Sequence, residues 1–332
     1  MRTLRHAAST VIAMLLLFAA GRAQAEPASV QLADVIARLD ARTSPSLALN
    51  AELEDVLRDQ PGLVATVPSL LRPGTLRSAT TDVLIHALER LGSADAQRAL
   101  GAILDDSGQA HLDRLRATVA LGAVAEPDSK SLETLWQAAG RRSDPKAVDL
   151  SNTALLSLGI AGSTLREQAP SKYAPLREEL LSRTFGTGDD LERTLLLKAV
   201  GNLGDESLGL DVQVFLADDS APVRASAAQS LGLMRSEGAA PVLAGRLGLE
   251  PSGPVRVSIV TSLSCLQAGD LTLKAVHDQL RVEPVPAARA AMVRYLGQHL
   301  ELIPDARPTL EMLRIGDGAR QVRLLAAAAL NS

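Results

Sequence analysis

An arginine recurs along the second half of the chain, each time seven residues before a Leu or Val that is followed by a small residue. The arginines are Arg193, Arg224, Arg256, Arg289 and Arg323, and successive copies are 31, 32, 33 and 34 residues apart. Self-similarity at a period of this length is typical of repeat proteins, in which each unit is one supersecondary element. Such a unit cannot bury its apolar face alone, so the repeats must stack on one another to form a continuous core.

Within each repeat the apolar residues fall at helical intervals. Val223, Ala227 and Leu231 follow this spacing in one repeat, and a second periodic segment precedes each arginine-bearing segment. No stretch shows the sustained alternation of apolar and polar residues that is typical of strands. The sequence therefore predicts an all-α protein built from helical hairpins.

The upstream half carries the same pattern less regularly. Arg114 and Ser151 occupy the position of the repeated arginine, and the spacing up to Arg193 lengthens to 37 and then 42 residues. We expect the extra residues to form loops, over residues 140–147 and 162–173.

Proline and glycine mark the predicted helix ends. Pro222 and Pro254 stand where the first turn of a helix tolerates a missing amide hydrogen. Gly201, Gly232 and Gly297 follow the last periodic residues of their segments. We expect each of these glycines to end its helix in a left-handed conformation.

The first 25 residues have the pattern of a secretory signal peptide. Arg2 and Arg5 precede a short apolar stretch, and Ala23 and Ala25 supply the small residues that a signal peptidase requires before Glu26. The apolar stretch is shorter than the about 20 residues that a membrane-spanning helix needs. We therefore expect an exported protein, periplasmic or secreted, without stable membrane insertion after cleavage.

The charge balance bears on the kind of partner. Removing residues 1–25 takes three arginines from the 34 basic residues and none of the 38 acidic residues, which leaves a formal charge of −7. Nucleic acids and anionic membranes are themselves negatively charged, so an acidic chain is poorly suited to either. Nucleic acid is not expected as a partner.

The chain contains a single cysteine, Cys265. A lone thiol cannot form a disulfide within the chain, so the stability of an exported protein of this kind must come from its packed core. Because free cysteines are most often buried, we expect Cys265 on the buried side of an apolar helix.

An acidic residue stands six positions before the arginine in four consecutive repeats. The pairs are Asp218 with Arg224, Glu250 with Arg256, Glu283 with Arg289, and Asp317 with Arg323. Together with the small residues and the Leu-Gly that follow, these repeats resemble the HEAT-repeat superfamily, especially the short HEAT-like repeats also found in phycobilisome lyases. The resemblance implies a right-handed α-α superhelix, a HEAT-like solenoid of about seven to eight helical hairpins, with the arginine-bearing helices on its concave side. It covers residues 108–332 well, and residues 26–107 are expected to form divergent N-terminal helical repeats.

A narrower similarity lies in the segment LERTLLLKAVGNLGDES. Its matching residues are Leu197, Lys198, Ala199, Gly201, Asn202 and Gly204, which resemble the helical superhelix of vitellogenin and related lipid-transfer proteins. That family holds lipid with large β-sheets, for which this chain has no sequence. The similarity implies paired helices and leaves lipid binding as an alternative function. The lyase resemblance implies a further alternative, a HEAT-like lyase or an enzyme accessory.

The repetition of the acid and the arginine favours a structural role over a catalytic one. A catalytic group is needed once, whereas a pair in every repeat suits a ladder of hydrogen bonds in which charged guanidinium forks join the turns of neighbouring repeats. The sequence carries no nucleophile elbow, phosphate-binding loop or dinucleotide-binding motif, and its histidines lack the spacing of a zinc site. We therefore expect a non-enzymatic protein that uses no cofactor and no metal.

The remaining candidate site is the concave face, where the resemblance places the arginine-bearing helices. Residues five positions after the arginines share this face, and nearby polar residues extend it. The candidate binding residues are Lys198, Asn202, Ser226, Gln229, Thr261, Arg294 and Gln298. We expect this face to bind an extended peptide or a protein surface, so the predicted function is that of an exported scaffold for a protein or peptide partner.

Overall fold

The described part of the chain is helical. A computed structural model describes residues 26–44, 46–236 and 238–331, and in these ranges all regular structure is helical, with no strand. The predicted signal peptide over residues 1–25 lies outside the described residues. No helix within the described ranges combines the length and the apolar character needed to cross a membrane.

The chain divides into two compact units. Unit 1 ends at Tyr173 and unit 2 begins at Ala174. The boundary predicted between residues 107 and 108 falls within unit 1, and the division of the repeats at that point stays a prediction.

Unit 1 stacks its helices in two layers. The helices are α1 Glu26–Asp40, α2 Leu47–Asp59, α3 Pro61–Val64, α4 Val67–Leu70, α5 Ser78–Leu91, α6 Ala94–Asp105, α7 His111–Ala123, α8 Ser129–Ala139 and α9 Val148–Gln168, with a 3-10 turn over Gly140–Ser143. Helices α5, α7 and α9 pack side by side in one layer, and α6 packs on α8 in the other. Leu100 of α6, Leu121 of α7 and Leu158 of α9 are fully buried in the core between the layers.

Helix α10, Pro170–Gly186, contains the boundary between the units, and unit 2 follows the same plan more regularly. The later helices are α11 Asp190–Asn202, α12 Gly209–Gln213, α13 Ala221–Met234, α14 Ala239–Leu247, α15 Gly253–Leu263, α16 Asp270–Leu280, α17 Pro286–Gln298, α18 Arg307–Gly316 and α19 Arg320–Asn331, with 3-10 turns over Glu206–Leu208, Val214–Ala217 and Pro304–Ala306. Helices α11, α13, α15, α17 and α19 each pack on the next and carry the repeated arginines; we call them the arginine layer. Helices α12, α14 and α16 form a second layer, and α18 packs on α19. The predicted all-α solenoid of stacked helical hairpins is confirmed.

Three helices of the arginine layer begin with a proline, as predicted for Pro222 and Pro254. Pro222, Pro254 and Pro286 each lie at the first or second helical position. The ring fixes a helical φ where no intrahelical hydrogen bond from the amide is required.

The glycines have a different role from the predicted one. Gly201, Gly232 and Gly297 lie inside their helices without positive φ, so the expected left-handed helix ends are wrong. A Cβ atom on Gly232 would lie 2.8 Å from Cβ of Ser262, and one on Gly201 would lie 2.8 Å from Cα of Ser230. These distances are too short for real Cβ atoms. Glycine is present because adjacent helices of the arginine layer approach each other too closely for any side chain.

One of the two predicted loops is also wrong. Residues 140–147 do leave the helix, in a 3-10 turn followed by a short connection. Residues 162–173 instead extend α9 to Gln168 and, after a single residue, begin α10. Ala161 and Leu165 stay buried at helical spacing, which favours continuation of the helix through this polar segment.

Candidate functional site

The repeated arginines join neighbouring repeats through charged hydrogen bonds. Arg224 donates from Nε and Nη2 to the two carboxylate oxygens of Glu250, at 2.9 and 2.8 Å. Its Nη1 donates to the backbone carbonyl oxygens of Asp218 and Asp219, at 2.8 and 2.9 Å. One side chain therefore ties the turn before its own helix to the turn of the next repeat.

The same geometry recurs in the two following repeats. Arg256 donates to both carboxylate oxygens of Glu283 at 2.6 Å. Arg289 donates to both carboxylate oxygens of Asp317, at 2.7 and 3.0 Å. Such bidentate pairs fix orientation as well as adding energy, because the planar guanidinium matches the carboxylate.

The two ends of this ladder differ from its middle. Arg193 lies 3.4 Å from the carboxylate of Asp218, which makes a looser contact. Arg323 donates to the carbonyl oxygens of Asp317 and Gly318, at 2.6 and 3.4 Å, and no carboxylate in the described ranges pairs with it. Arg323 thus holds its own turn but makes no bridge to a further repeat.

Each paired arginine forms its ion pair with the acid of the next repeat, and not with the acid six residues before it that the sequence suggested. The acid six residues before each arginine contributes its backbone carbonyl oxygen to that arginine, as Asp218 does for Arg224. Its carboxylate belongs to the arginine of the preceding repeat, so Glu250 serves Arg224 and Glu283 serves Arg256. Each acid therefore acts in two repeats at once.

Each ladder carboxylate is also held by its own turn. Glu250 accepts a hydrogen bond from the Ser252 N–H at 2.9 Å and another from Arg246 at 3.0 Å. Burial raises the pKa of Glu250, but the hydrogen bonds from Arg224, from the Ser252 N–H and from Arg246 outweigh that effect and hold the pKa below its usual value. The buried carboxylate is therefore charged at neutral pH.

The next two carboxylates follow the same rule. Burial raises the pKa of Glu283, but its hydrogen bonds, the strongest of them from Arg256, lower the pKa by more. The pKa of Glu283 is therefore below its usual value. The hydrogen bond from Arg289 is the main reason that the pKa of Asp317 is lowered. Every guanidinium nitrogen of Arg256 and Arg289 donates at least one hydrogen bond within the ladder.

Most of the candidate binding residues are accessible. Gln229, Thr261, Arg294 and Gln298 are exposed, and Lys198 and Asn202 are half-buried. Lys198, Gln229, Thr261 and Arg294 each stand five residues after a ladder arginine on successive packed helices, and we call these four residues the polar row. The amide of Gln229 donates to Ser258 Oγ at 3.0 Å, which links this side chain to the next helix.

Ser226 does not belong to the accessible face. It is 2% exposed, and its carbonyl oxygen accepts a hydrogen bond from Ser230 Oγ at 2.8 Å. Two residues after the arginine, the side chain lies on the buried side of α13. Its prediction as a binding residue is therefore wrong.

Cys265 also differs from expectation. Helix α15 ends at Leu263, so Cys265 lies beyond the buried helical segment and its thiol is exposed. Sγ lies 3.7 Å from the carbonyl oxygen of Thr261. Elsewhere in the described ranges, no group of three or more His, Cys, Asp or Glu residues is arranged to hold a metal ion.

A pocket that sequence reasoning missed borders the last residue of the polar row. Arg294 and Gln298 line it together with Arg307, which begins α18. Arg307 lies in the connection between two arginine-bearing helices, outside the repeating positions, so the repeat pattern gave no signal for it.

Comparison with known proteins identifies no family for this chain. No family model matches it, and no curated protein matches it. The chain is similar to a solved structure of human deoxyhypusine hydroxylase in complex with glycerol, with 22% identity and a TM-score of 0.33, over 82% of this chain and 98% of that one. A similarity at this level supports no assignment of substrate or reaction, and membership of the HEAT-repeat superfamily stays a resemblance of the repeats.

The expectation of a non-enzymatic protein is corrected by the same comparison. That expectation depended on the lack of recognisable catalytic motifs, yet the protein of similar structure is itself an enzyme, a hydroxylase. A lack of motifs does not by itself exclude catalysis, so the expectation that the chain is not an enzyme is withdrawn.

Proposed function

We propose that the chain is an exported scaffold whose arginine layer in unit 2 binds a protein surface or an extended peptide. The polar row carries this proposal. Its four residues repeat at one position of successive packed helices, three of them exposed and Lys198 half-buried. Amide, hydroxyl and cationic groups at regular intervals suit the regularly spaced carbonyl groups of an extended chain.

The helices that carry the polar row are held rigidly, which favours their use as a binding surface. The bidentate pairs of Arg224 and Arg256 fix the register of neighbouring helices. The close glycine contacts at Gly201 and Gly232 fix their separation. A surface held in this way binds with little loss of conformational entropy, because its elements are already ordered.

The binding test compares two variants that make the same kinds of charge change. Lys198, Gln229 and Thr261 are changed together to Glu in one variant, and the exposed residues Lys274 and Gln321 are changed to Glu in the control. Affinity capture from the native source should recover a stoichiometric partner with the wild type and the control. The row variant should bind that partner at least about tenfold more weakly than the control, a difference of about 1.4 kcal/mol, while circular dichroism shows both variants folded. Equal capture by the row variant would reject the row as the binding surface.

Export is the second part of the proposal. The charged, apolar and small-residue segments before Glu26 support it. N-terminal sequencing of the protein from its native source should give Glu26 as the first residue. A protein that retains Met1 would contradict export by cleavage.

A further inference from the structure

A pocket of ≈ 700 Å³ lies in unit 2 where the C-terminal end of α17 meets α19. Its wall is formed by the end of α17, the turn over residues 299–302, the start of α18 and the second half of α19. Volumes in this range are typical of pockets for small organic ligands.

The fifth position after the arginine is smallest in α19, and this position lines the pocket. Earlier helices place Lys198, Gln229, Thr261 or Arg294 there, whereas α19 places Ala328. Ala328 and Arg294 both line the pocket, and Leu325 and the exposed Leu302 contribute apolar wall to it.

Two unpaired arginines give the pocket its charge. Arg294 and Arg307 both line it and are exposed, and neither forms an ion pair or a side-chain hydrogen bond with any residue in the described ranges. Glu301 also borders the pocket, but no ion pair joins it to either arginine. The wall therefore carries more positive than negative charge, with guanidinium donors that remain available.

Two further polar groups lie beside these arginines. Gln298 contributes an amide, and His299 contributes an imidazole whose ring packs edge-on against Tyr295 at a centroid distance of 5.1 Å. Apolar wall with a few convergent polar groups is the usual composition of a ligand pocket.

We propose that this pocket binds a carboxylate carried on an apolar body. The carboxylate lies between Arg294 and Arg307, whose planar guanidinium groups bind carboxylates with two parallel hydrogen bonds. The apolar body lies against Leu302 and Leu325. Either a free organic acid or the C-terminal carboxylate of a peptide supplies this chemistry.

Isothermal titration calorimetry of the full chain tests the proposal with two pairs of probes. The first pair is octanoate and the neutral 1-octanol. The second pair is acetyl-Gly-Ala-Leu with a free carboxylate and the same peptide with an amidated C-terminus. At least one acid should bind about tenfold or more tightly than its neutral counterpart, because only the acid accepts the charged hydrogen bonds.

Variants locate the binding. Arg294→Ala and Arg307→Ala should each weaken binding of that acid about tenfold or more. Ala328→Leu should abolish it by occupying space in the pocket. Arg281→Ala should leave it unchanged, since Arg281 is exposed in unit 2 and lies outside the pocket.

The outcomes separate cleanly. Binding of octanoate alone assigns a free acid, and binding of the peptide alone assigns a peptide terminus. Absence of binding by both acids, equal binding of a neutral probe, or binding that survives both arginine variants overturns the proposal. The variant of Lys198, Gln229 and Thr261 should still bind the acid, so failure of the proposed scaffold function is distinguishable from failure of this site.

Discussion

Units 1 and 2 hold equivalent turns with different chemistry. In unit 2, Arg224, Arg256 and Arg289 each donate to a backbone carbonyl oxygen and to a buried carboxylate. In unit 1, Arg114 Nε donates to the carbonyl oxygen of Leu104 at 2.8 Å, and Ser151 Oγ donates to the carbonyl oxygen of Ala139. At Ser151 a hydrogen bond between neutral groups is thus sufficient to hold a turn against its helix. The carboxylates of unit 2 add a link between repeats.

That added link makes unit 2 dependent on charge. A buried ion pair is weak evidence for stability, because the cost of removing both charges from water offsets their attraction. Loss of one partner is different, since it leaves an uncompensated charge in the interior. We therefore expect unit 2 to be more regular than unit 1 and also more sensitive to acid and to single substitutions in its ladder.

Acidification should produce the largest difference between the units. The pKa values of Glu250, Glu283 and Asp317 are lower in the folded chain than in the unfolded chain. Their contribution to stability is complete above the unfolded pKa values, about 4, and is lost as pH falls through the lower folded values. Unit 2 should therefore unfold first as pH falls below about 4.

Trp136 provides the measurement, because it is the only tryptophan and lies in α8 of unit 1. Circular dichroism follows the helices of both units, so ellipticity should fall before the fluorescence of Trp136 changes. Return to neutral pH should restore both signals and serves as the control. Coincident transitions would mean that the ladder does not set the acid stability of unit 2.

Breaking one ion pair should have the next largest effect. Arg256→Ala removes the charged partner of Glu283, whose side chain is 0% exposed. We expect a loss of about 3–5 kcal/mol in the free energy of unfolding, measured by urea denaturation. The matched change in unit 1, Ser151→Ala, removes a neutral hydrogen bond and should cost about 1 kcal/mol. Similar losses for the two variants would remove the distinction between charged and neutral links.

Both units contain glycines at close approaches between helices. Replacing these glycines should reduce the free energy of unfolding by less than the loss of an ion pair does. A Cβ atom on Gly122 of unit 1 would lie 2.6 Å from Cβ of Ser157, and one on Gly232 of unit 2 would lie 2.8 Å from Cβ of Ser262. Replacement of either glycine by Ala should cost about 1–3 kcal/mol by overpacking, measured in the same urea assay. Gly245→Ala in α14 is the control, because beyond the adjoining backbone of its own helix no atom lies within 4 Å of the added methyl, and it should stabilise the chain by about 0.5–1 kcal/mol. Stabilisation by all three changes would disprove the close-approach role.

The sequence predicts the order of the helices well because helical periodicity is a local property. Val223, Ala227 and Leu231 are buried on one face of α13, as their spacing indicates. The partner of each arginine depends instead on how repeats stack. Arg224 pairs with a carboxylate 26 residues further along the chain, although an acid lies much nearer in sequence.

The exposure of individual residues was harder to predict for the same reason. Ser226 and Gln229 lie less than one helical turn apart, yet Ser226 is buried and Gln229 is exposed. The role of the glycines was also not predictable from local sequence. Gly201 and Gly232 are required where a second helix approaches closely, and that helix belongs to the next repeat. The pocket beside Arg307 needed the three-dimensional arrangement, because its residues come from separate segments.

The exposed position of Cys265 has a practical consequence. It is the only thiol in the chain, so a maleimide dye attaches at one site and no other cysteine has to be removed. The label lies just past the end of α15, one helical turn from Thr261 of the polar row. Fluorescence anisotropy of the labelled natural chain can therefore report the arrival of a partner on this surface in real time.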